Sequence, residues 1–569
     1  MKRLLYGLMA GLFLPVSIIA QCTDEWVQQI SGLPTGNLAN VSPSMVVDHL
    51  GNVIVCNVIV GADTIITDDQ IFPETYSFTP NSDLFLAKYN SLGSLVWLKT
   101  IIGEQDCAPL DIAVDDDGNI YVGGLMSHSI TIEGVVYERP GATQLGFFIM
   151  KLSASGDLQW LQKSDFNGSR CYSLYWTGED LAFAIPFTGT VELDGQVYSA
   201  DVPVNPSYQD ILFGRLSPNG ELLSAFQIGG MGNVDVRALI CDESGYLLQG
   251  QFDLELTFDG ATLTTPAQAH YSLYQLAVSN DGSLLWAHKS MNGPDLYVLP
   301  YGMGLTNGDK VIFSGVYDYS ALTIDGMTIG NTAARDIFVG ELNRSDGSVN
   351  WLKKASGSQT DYTETLVSKG ANSWLGGYFW SSQFDYEGFQ LDNTNDGEYD
   401  GFVVSIDNDG KPRCGIGFHG NGQEAIRSIQ ITEDLQLLAL VSFNNTIEFN
   451  GQTYTAQGNY DLLVIKTCLP CDTLTSIAET TQTQPVSLNI YPNPFSTQCQ
   501  LNYRTAQGTQ PTLQLTDILG RTVQTIQLSS HEGTYILDAA TLGTGIYFCS
   551  LVSGAEVLAT QKLVVINLE

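Results

Sequence analysis

The residues that could do chemistry are many, but few stand at a spacing that chemistry requires. Six histidines (His49, His128, His270, His288, His419 and His531) are scattered through 569 residues. None belongs to an H-E-x-x-H pair, and neither a G-x-S-x-G elbow nor a phosphate-cradling loop occurs. The 61 Asp and Glu put carboxylates side by side throughout, so no pair can be singled out as the acid and base of a glycosidase. Cys468 and Cys471 form a C-x-x-C, the spacing of a zinc half-site or a redox motif. No second C-x-x-C or His pair completes a zinc site and no βαβ pattern surrounds it, so a structural disulfide is expected. The segment 392–400, DNTNDGEYD, begins like a calcium loop with Asp392, Asp396 and Gly397, but Thr394 holds position three and Val403 stands where a Glu is required. It is read as turn chemistry, and no metal or cofactor is expected. Tyr378 and Trp380, in GGYFWSSQF, are two apart and share one face of a strand. They either stack on a sugar or pack between sheets.

The composition narrows the partners. Lys and Arg number 24 against 61 acids, a net charge of −37. A nucleic-acid partner is excluded, because phosphate neutralisation needs clustered cations. Apolar residues at 44 % suit a globular chain and not a disordered one. Residues 1–20 read as a secretory signal peptide: Lys2 and Arg3, then an apolar run to Ala20. That run falls short of the roughly 20 residues a membrane span needs. No transmembrane helix is expected in the mature chain, and export makes disulfides admissible.

The elements that must position any site come from a repeat. Segments such as DLFLAKYNSLGSLVW, GFFIMKLSASGDLQW and DIFVGELNRSDGSVNW each hold a strand, a Gly turn and a strand ending near Trp. The turn glycines are Gly93, Gly156, Gly220, Gly282, Gly347 and Gly410, spaced 62–65 residues apart. A second hairpin with Asp, Asn and Gly turns lies between successive copies and occurs seven times. Four antiparallel strands per unit, repeated, predict an all-β fold: a seven-bladed β-propeller over residues 21–471. The repeated Trp97, Trp160, Trp286 and Trp351 are assigned to packing.

The seventh copy of the third strand, DLLVIKT (461–467), has no fourth strand after it, whereas TDEWVQQISG near the N-terminus is a fourth strand with nothing before it. The N-terminal strand is therefore expected to complete the last blade, which removes two exposed edges. The register of that broken hairpin brings Cys22 beside Cys471, with Cys468 close by. A disulfide from Cys22 to Cys471 or Cys468 is expected to lock the closure. Cys107 and Cys171 occupy one loop position in consecutive units and are candidates for a second bridge.

DDDGNIYVGG (115–124) with GFFIMKL (146–152) resembles the bacterial seven-bladed propeller repeat family, and the other copies diverge from it. Each unit also carries a small hairpin between its second and third strands, among them TIEGVVY, ELDGQVY and TIDGMTI. These insertions are expected to crowd one face. They either form the binding face or only lengthen the blade edges.

Residues 472–487, rich in Thr and Gln, read as a flexible linker. Residues 488–569 then hold about seven short strands, the pattern of a small β-sandwich. Tyr491-Pro492-Asn493-Pro494-Phe495, then Asp517, Gly520, Arg521 and Val523, then Gly545 and Tyr547, and Lys562-Leu563-Val564-Val565 resemble the type A C-terminal sorting domain of the type IX (Por) secretion system of Bacteroidota. That resemblance implies passage of the outer membrane by the secretion machinery, removal of the domain, and a secreted or surface-held product. Cys499 and Cys549 fall in two of the strands, and spacing alone does not pair them.

The expected function is binding or adhesion by an exported propeller, with a glycan or cell-surface macromolecule as partner. The lack of a catalytic motif argues against an enzyme. The alternative is a secreted carbohydrate-active hydrolase or lyase with its site at the mouth of the ring.

Overall fold

The computed structural model describes residues 25–31, 43–60, 64–67, 70–73, 82–141, 144–201, 208–265, 271–291, 297–306, 309–330, 334–394, 397–469, 487–491, 493, 495–505, 511–517, 521–528, 530–553 and 556–565. The chain divides into two units, Met1–Leu474 and Thr475–Glu569. Both are built of antiparallel strands, and no helix among the described residues is long and apolar enough to cross a membrane.

In the first unit each repeat folds as a four-stranded antiparallel meander. The second of them runs Cys107–Val114, Ile120–Met126, Gly146–Leu152 and Leu158–Lys163, paired in that order. Its two middle strands read as nearly unbroken apolar runs because they are covered on both faces, and all seven residues of Gly146–Leu152 are buried. The fourth strand is half-exposed.

The repeated polar residues have one structural job. Asp115 accepts hydrogen bonds from the Asn119 backbone N–H at 2.8 Å and the Asn119 side chain at 2.9 Å. It also pairs with Lys151 of the third strand at 3.2 Å, with both side chains buried. Burial alone would raise this carboxyl; the bonds from Asn119 and Lys151 outweigh it and hold Asp115 below the usual range. Asp48, Asn52 and Lys88 repeat the arrangement, with the ion pair at 3.1 Å.

The fourth strands make the seams. Each tryptophan there donates its indole N–H to a turn carbonyl of the following sheet: Trp97 to Ala154 at 3.3 Å, Trp160 to Pro218 at 2.9 Å, Trp286 to Arg344 at 2.8 Å and Trp351 to Asn408 at 3.1 Å. The turn glycine lies against the ring. A Cβ on Gly220 would fall 2.8 Å from Trp160, and one on Gly410 would fall 2.7 Å from Trp351. These glycines also have φ of +85° and +70°, so the close approach and the left-handed backbone both demand glycine.

Trp26–Ile30 pairs with Asp461–Thr467, Trp26 opposite Lys466 and Ile30 opposite Leu462. The first strand of the chain thus becomes the fourth strand of the last sheet. The first strands of successive sheets touch one another in chain order, and Glu424–Ile431 of the last returns to Ser44–Val47 of the first. There Gln430 donates to the Met45 carbonyl at 3.1 Å.

The cysteines depart from expectation. Cys107 and Cys171 are buried free thiols, as are Cys56 and Cys241. Equivalent loop positions in neighbouring sheets do not bring Cys107 and Cys171 to bonding distance, so that bridge is not formed. Cys468 is disulfide-bonded, and so is Cys414, which stands where other repeats carry Trp. Cys22 and Cys471 lie outside the described residues, as does the 1–20 segment.

The inserted hairpins lengthen the sheet edges. Four of them, including Ser129–Ile132 with Val135–Glu138, join the fourth strand of the preceding sheet and extend it outward. Their backbone groups find partners on that edge.

The second unit holds a three-stranded sheet (Ser487–Tyr491, Gln498–Arg504, Glu532–Asp538) and a four-stranded one (Thr522–Gln527, Thr512–Asp517, Gly545–Ser553, Glu556–Val565). Both contribute to one apolar core that includes Leu501, Leu513, Leu537, Leu551 and Leu563. Cys499 and Cys549 lie in that core as free thiols.

Candidate functional site

The first strands of the first unit are not regular. Opposite Ile120–Met126, register slips between Pro109 and Asp111, which leaves Leu110 as an extra residue. The same slip leaves Arg237, the Tyr301–Gly302 pair, Glu364 and Arg427 unpaired in their strands. In the third sheet Ser169 faces Phe187 and Ser173 faces Ala184, with three residues between them on one side against two on the other. A bulge re-aims a side chain, and here the redirected side chains share a destination. Pro43, Leu110, Tyr172, Arg237, Tyr301, Glu364 and Arg427 stand at one position of the repeat, each five residues before the turn that ends its strand, as with Asp48, Asp242 and Thr432. All seven line one cavity of about 1150 Å³.

Its wall is an alternation of rings and guanidinium groups. Arg237 lies over Tyr172 at 5.4 Å. Arg335, held by Asp318 at 2.9 Å, sits between Tyr297 at 5.0 Å and Tyr362 at 5.2 Å. Tyr362 stacks on Tyr378, with centroids 5.1 Å apart. Tyr378 meets Tyr399 at 4.6 Å and Trp380 at 5.4 Å. Arg427 lies over Tyr378 at 5.8 Å and pairs with Glu364 at 2.7 Å. Burial works against the Arg427 charge, but Glu364 outweighs it and holds the guanidinium above its ordinary range. Such cation–ring contacts strengthen as water is excluded.

Two carboxyls lie on the lining. Glu364 is matched by Arg427. Asp111 accepts the Ile112 and Leu174 backbone N–H groups, each at 2.8 Å, yet burial pushes it up to about 7. Among the described residues no cluster of three His, Cys, Asp or Glu is placed to hold a metal. Asp392 and Asp400 of the calcium-like segment do not converge on a site: Asp400 is buried and accepts from Thr394 at 2.9 Å and from His419 at 2.7 Å. Asp396 lies outside the described residues.

Tyr378 and Trp380 both line the cavity. Sequence reasoning missed their neighbours Tyr172, Arg237, Tyr297, Tyr301, Tyr362, Glu364, Tyr399 and Arg427. A signal existed, since one column of the repeat carries the bulge. No described residue of the inserted hairpins lines the cavity.

In the second unit Asn493 ties the start to the end. Its side-chain NH2 donates to the Lys562 carbonyl at 2.6 Å and its oxygen accepts the Val564 N–H at 2.8 Å. Arg521 returns to Asp517 through its backbone N–H at 2.9 Å and its Nε at 2.7 Å. Tyr547 donates to the Gly543 carbonyl at 2.9 Å, and Gly545 opens the strand that carries Tyr547. Tyr491 ends the first strand, and Lys562 lies in the last. Pro492, Pro494 and Gly520 lie outside the described residues.

Residues 489–566 match the secretion system C-terminal sorting domain. A chain with this tail is a client of the type IX secretion machinery and is secreted or displayed at the cell surface, outside the outer membrane. No curated protein matches the chain. Among solved structures, Synechocystis apocarotenoid oxygenase is similar at 9 % identity and a TM-score of 0.35, over 91 % of this chain and 97 % of that one. A puromycin hydrolase is similar at 11 % identity and a TM-score of 0.34, over 73 % of this chain and 61 % of that one. PorZ, a surface component of the type IX system of Porphyromonas gingivalis, is similar at 9 % identity and a TM-score of 0.14, over 95 % of this chain and 100 % of that one. At these TM-scores the likenesses assign neither fold nor activity.

Proposed function

We propose that the protein is an exported seven-bladed β-propeller, closed by its N-terminal strand, that binds a glycan in the cavity at its centre. A signal peptide over residues 1–20 takes it across the inner membrane, and the sorting domain takes it across the outer. The observation that carries the reading is the convergence of one position from each repeat, bulged in six of the seven, on a cavity walled by Tyr362, Tyr378, Trp380 and Tyr399. Flat rings suit the apolar faces of sugars, while the Tyr hydroxyls and the amides of Gln423 and Gln430 on the same lining suit their hydroxyl groups. Adhesion follows if the bound glycan belongs to a surface.

A second reading, hydrolysis or elimination on a bound sugar, is favoured by one observation: Asp111 at about 7 and the Arg-matched Glu364 share the lining.

The test is a glycan array probed with the mature full-length protein. Binding is expected for the native chain, with at least tenfold weaker binding for Tyr378→Ala and Trp380→Ala. Glycan cleavage that Glu364→Gln and Asp111→Asn each abolish would replace the binding reading with the catalytic one.

A further inference from the structure

We propose, resting on the glycan reading above, that the cavity selects acidic saccharides, whose carboxylate or sulfate is seated by Arg170 and Arg237 on the Tyr172 side. The charge distribution is the first argument. The chain carries 61 acids and 24 bases, yet this lining holds Arg170, Arg237 and Arg427 against Glu364 and Asp111. A neutral sugar gives no reason to gather arginines in so acidic a protein. A low-dielectric cavity also magnifies their effect on an incoming anion.

The arginines are not equivalent. Arg427 is engaged by Glu364 at 2.7 Å and by Ser442 at 2.8 Å, which leaves it to hold the aromatic wall. Arg237 meets Asp235 at 2.9 Å through one terminal nitrogen, while its Nε is buried without a hydrogen-bond partner. A buried guanidinium N–H left unmade costs free energy that a ligand oxygen restores. Arg170 is exposed, donates to the Tyr172 hydroxyl at 3.0 Å, and with Arg237 acts on the charge of Asp235. Both guanidinium groups lie over the same Tyr172 ring, at 5.9 Å and 5.4 Å. Two forks converging on one ring form a receptor for a planar anion, because guanidinium and carboxylate match in bidentate geometry. The bulge at Arg237 fixes one fork, and the extra residue between Ser169 and Ser173 turns the other into the same space.

The experiment uses the full mature chain with four probes: polygalacturonate, its methyl ester, a sulfated glycan and polyglutamate. Affinity is read by calorimetry at two salt concentrations. The expected result is binding of an acidic glycan at least tenfold tighter than the ester, weakened by salt. Arg237→Gln and the exposed Arg170→Gln are each expected to cut acidic-glycan affinity at least fivefold and ester affinity by a smaller factor, so that the preference for acid over ester narrows. Equal binding of acid and ester overturns the selectivity and leaves the glycan reading standing. Acid selectivity that survives both substitutions overturns the assignment to these arginines. Tighter capture of polyglutamate makes the ligand a peptide and overturns the proposal. Binding of no glycan here or on the array overturns both.

Discussion

The indole of Trp26 lies against Gly93 and donates to the Ser91 carbonyl at 3.1 Å, the same contact that each later seam tryptophan makes with the sheet ahead of it. Gly93 has a φ of +84°, and a Cβ there would fall 2.6 Å from the ring. Gly93→Ala is expected to destabilise the first unit by about 3 kcal/mol, combining left-handed strain and overpacking. Gly134→Ala, at φ +79° with nothing within 4 Å of the added Cβ, is expected to cost about 1 kcal/mol for the backbone alone. Denaturant melts of both variants measure the difference. Equal costs would show that the Trp26 contact does not support the seam.

Stability should fall as pH rises through the neutral range. Burial pushes Asp361 up to about 8 and Asp210 and Asp336 up to about 6. A carboxyl with a raised folded pKa contributes its full stability below the unfolded value, 3.8, and loses it as pH climbs to the folded value. Asp48 and Asp115, both lowered, act oppositely: their contribution is present above about 3.8 and is lost under stronger acid. The melting temperature is therefore expected to peak between about pH 4 and 6 and to drop by pH 9. Asp361→Asn should flatten the drop between about pH 5 and 8. An unchanged profile for that variant would refute the assignment.

Export should depend on Asn493. Asn493→Ala removes both bonds to the last strand, at a cost of about 2 kcal/mol in a small core. The variant is expected to accumulate in the periplasm while the native chain reaches the surface, read by fractionation and immunoblot.

Cys107, Cys171, Cys499 and Cys549 are buried thiols, pushed up by burial, Cys499 to about 11 and Cys549 to about 12. All four are expected to resist a thiol reagent in the native protein and to react on unfolding, as counted by peptide mass spectrometry. Recovery of a Cys107–Cys171 or Cys499–Cys549 peptide would overturn the structure at that point.

The parts legible in the sequence are those that recur with a fixed chemical role. Gly turns, seam tryptophans and the unpaired fourth strand at Trp26 announce themselves because strain, ring size and edge pairing restrict the residue type. The cavity was legible only at Tyr378 and Trp380. Tyr172, Arg237, Tyr301, Glu364 and Arg427 sit at bulges, where the alternation that sorts inward from outward side chains is broken by one residue. The column Pro43, Leu110, Tyr172, Arg237, Tyr301, Glu364, Arg427 shares no chemistry, so no consensus marks it. Variation at one repeated position is what a site assembled from different repeats requires. The regularity of the hairpin insertions matches the edge pairing that four of them make.

The pairing of Trp26–Ile30 with Asp461–Thr467 also sets an order of events. Trp26–Ile30 cannot find its partner until more than four hundred further residues have followed it. Until then six sheets can each close on their own strands, while the seventh lacks its fourth and one strand waits. Completion of the first unit is thus timed to the synthesis of Asp461–Thr467.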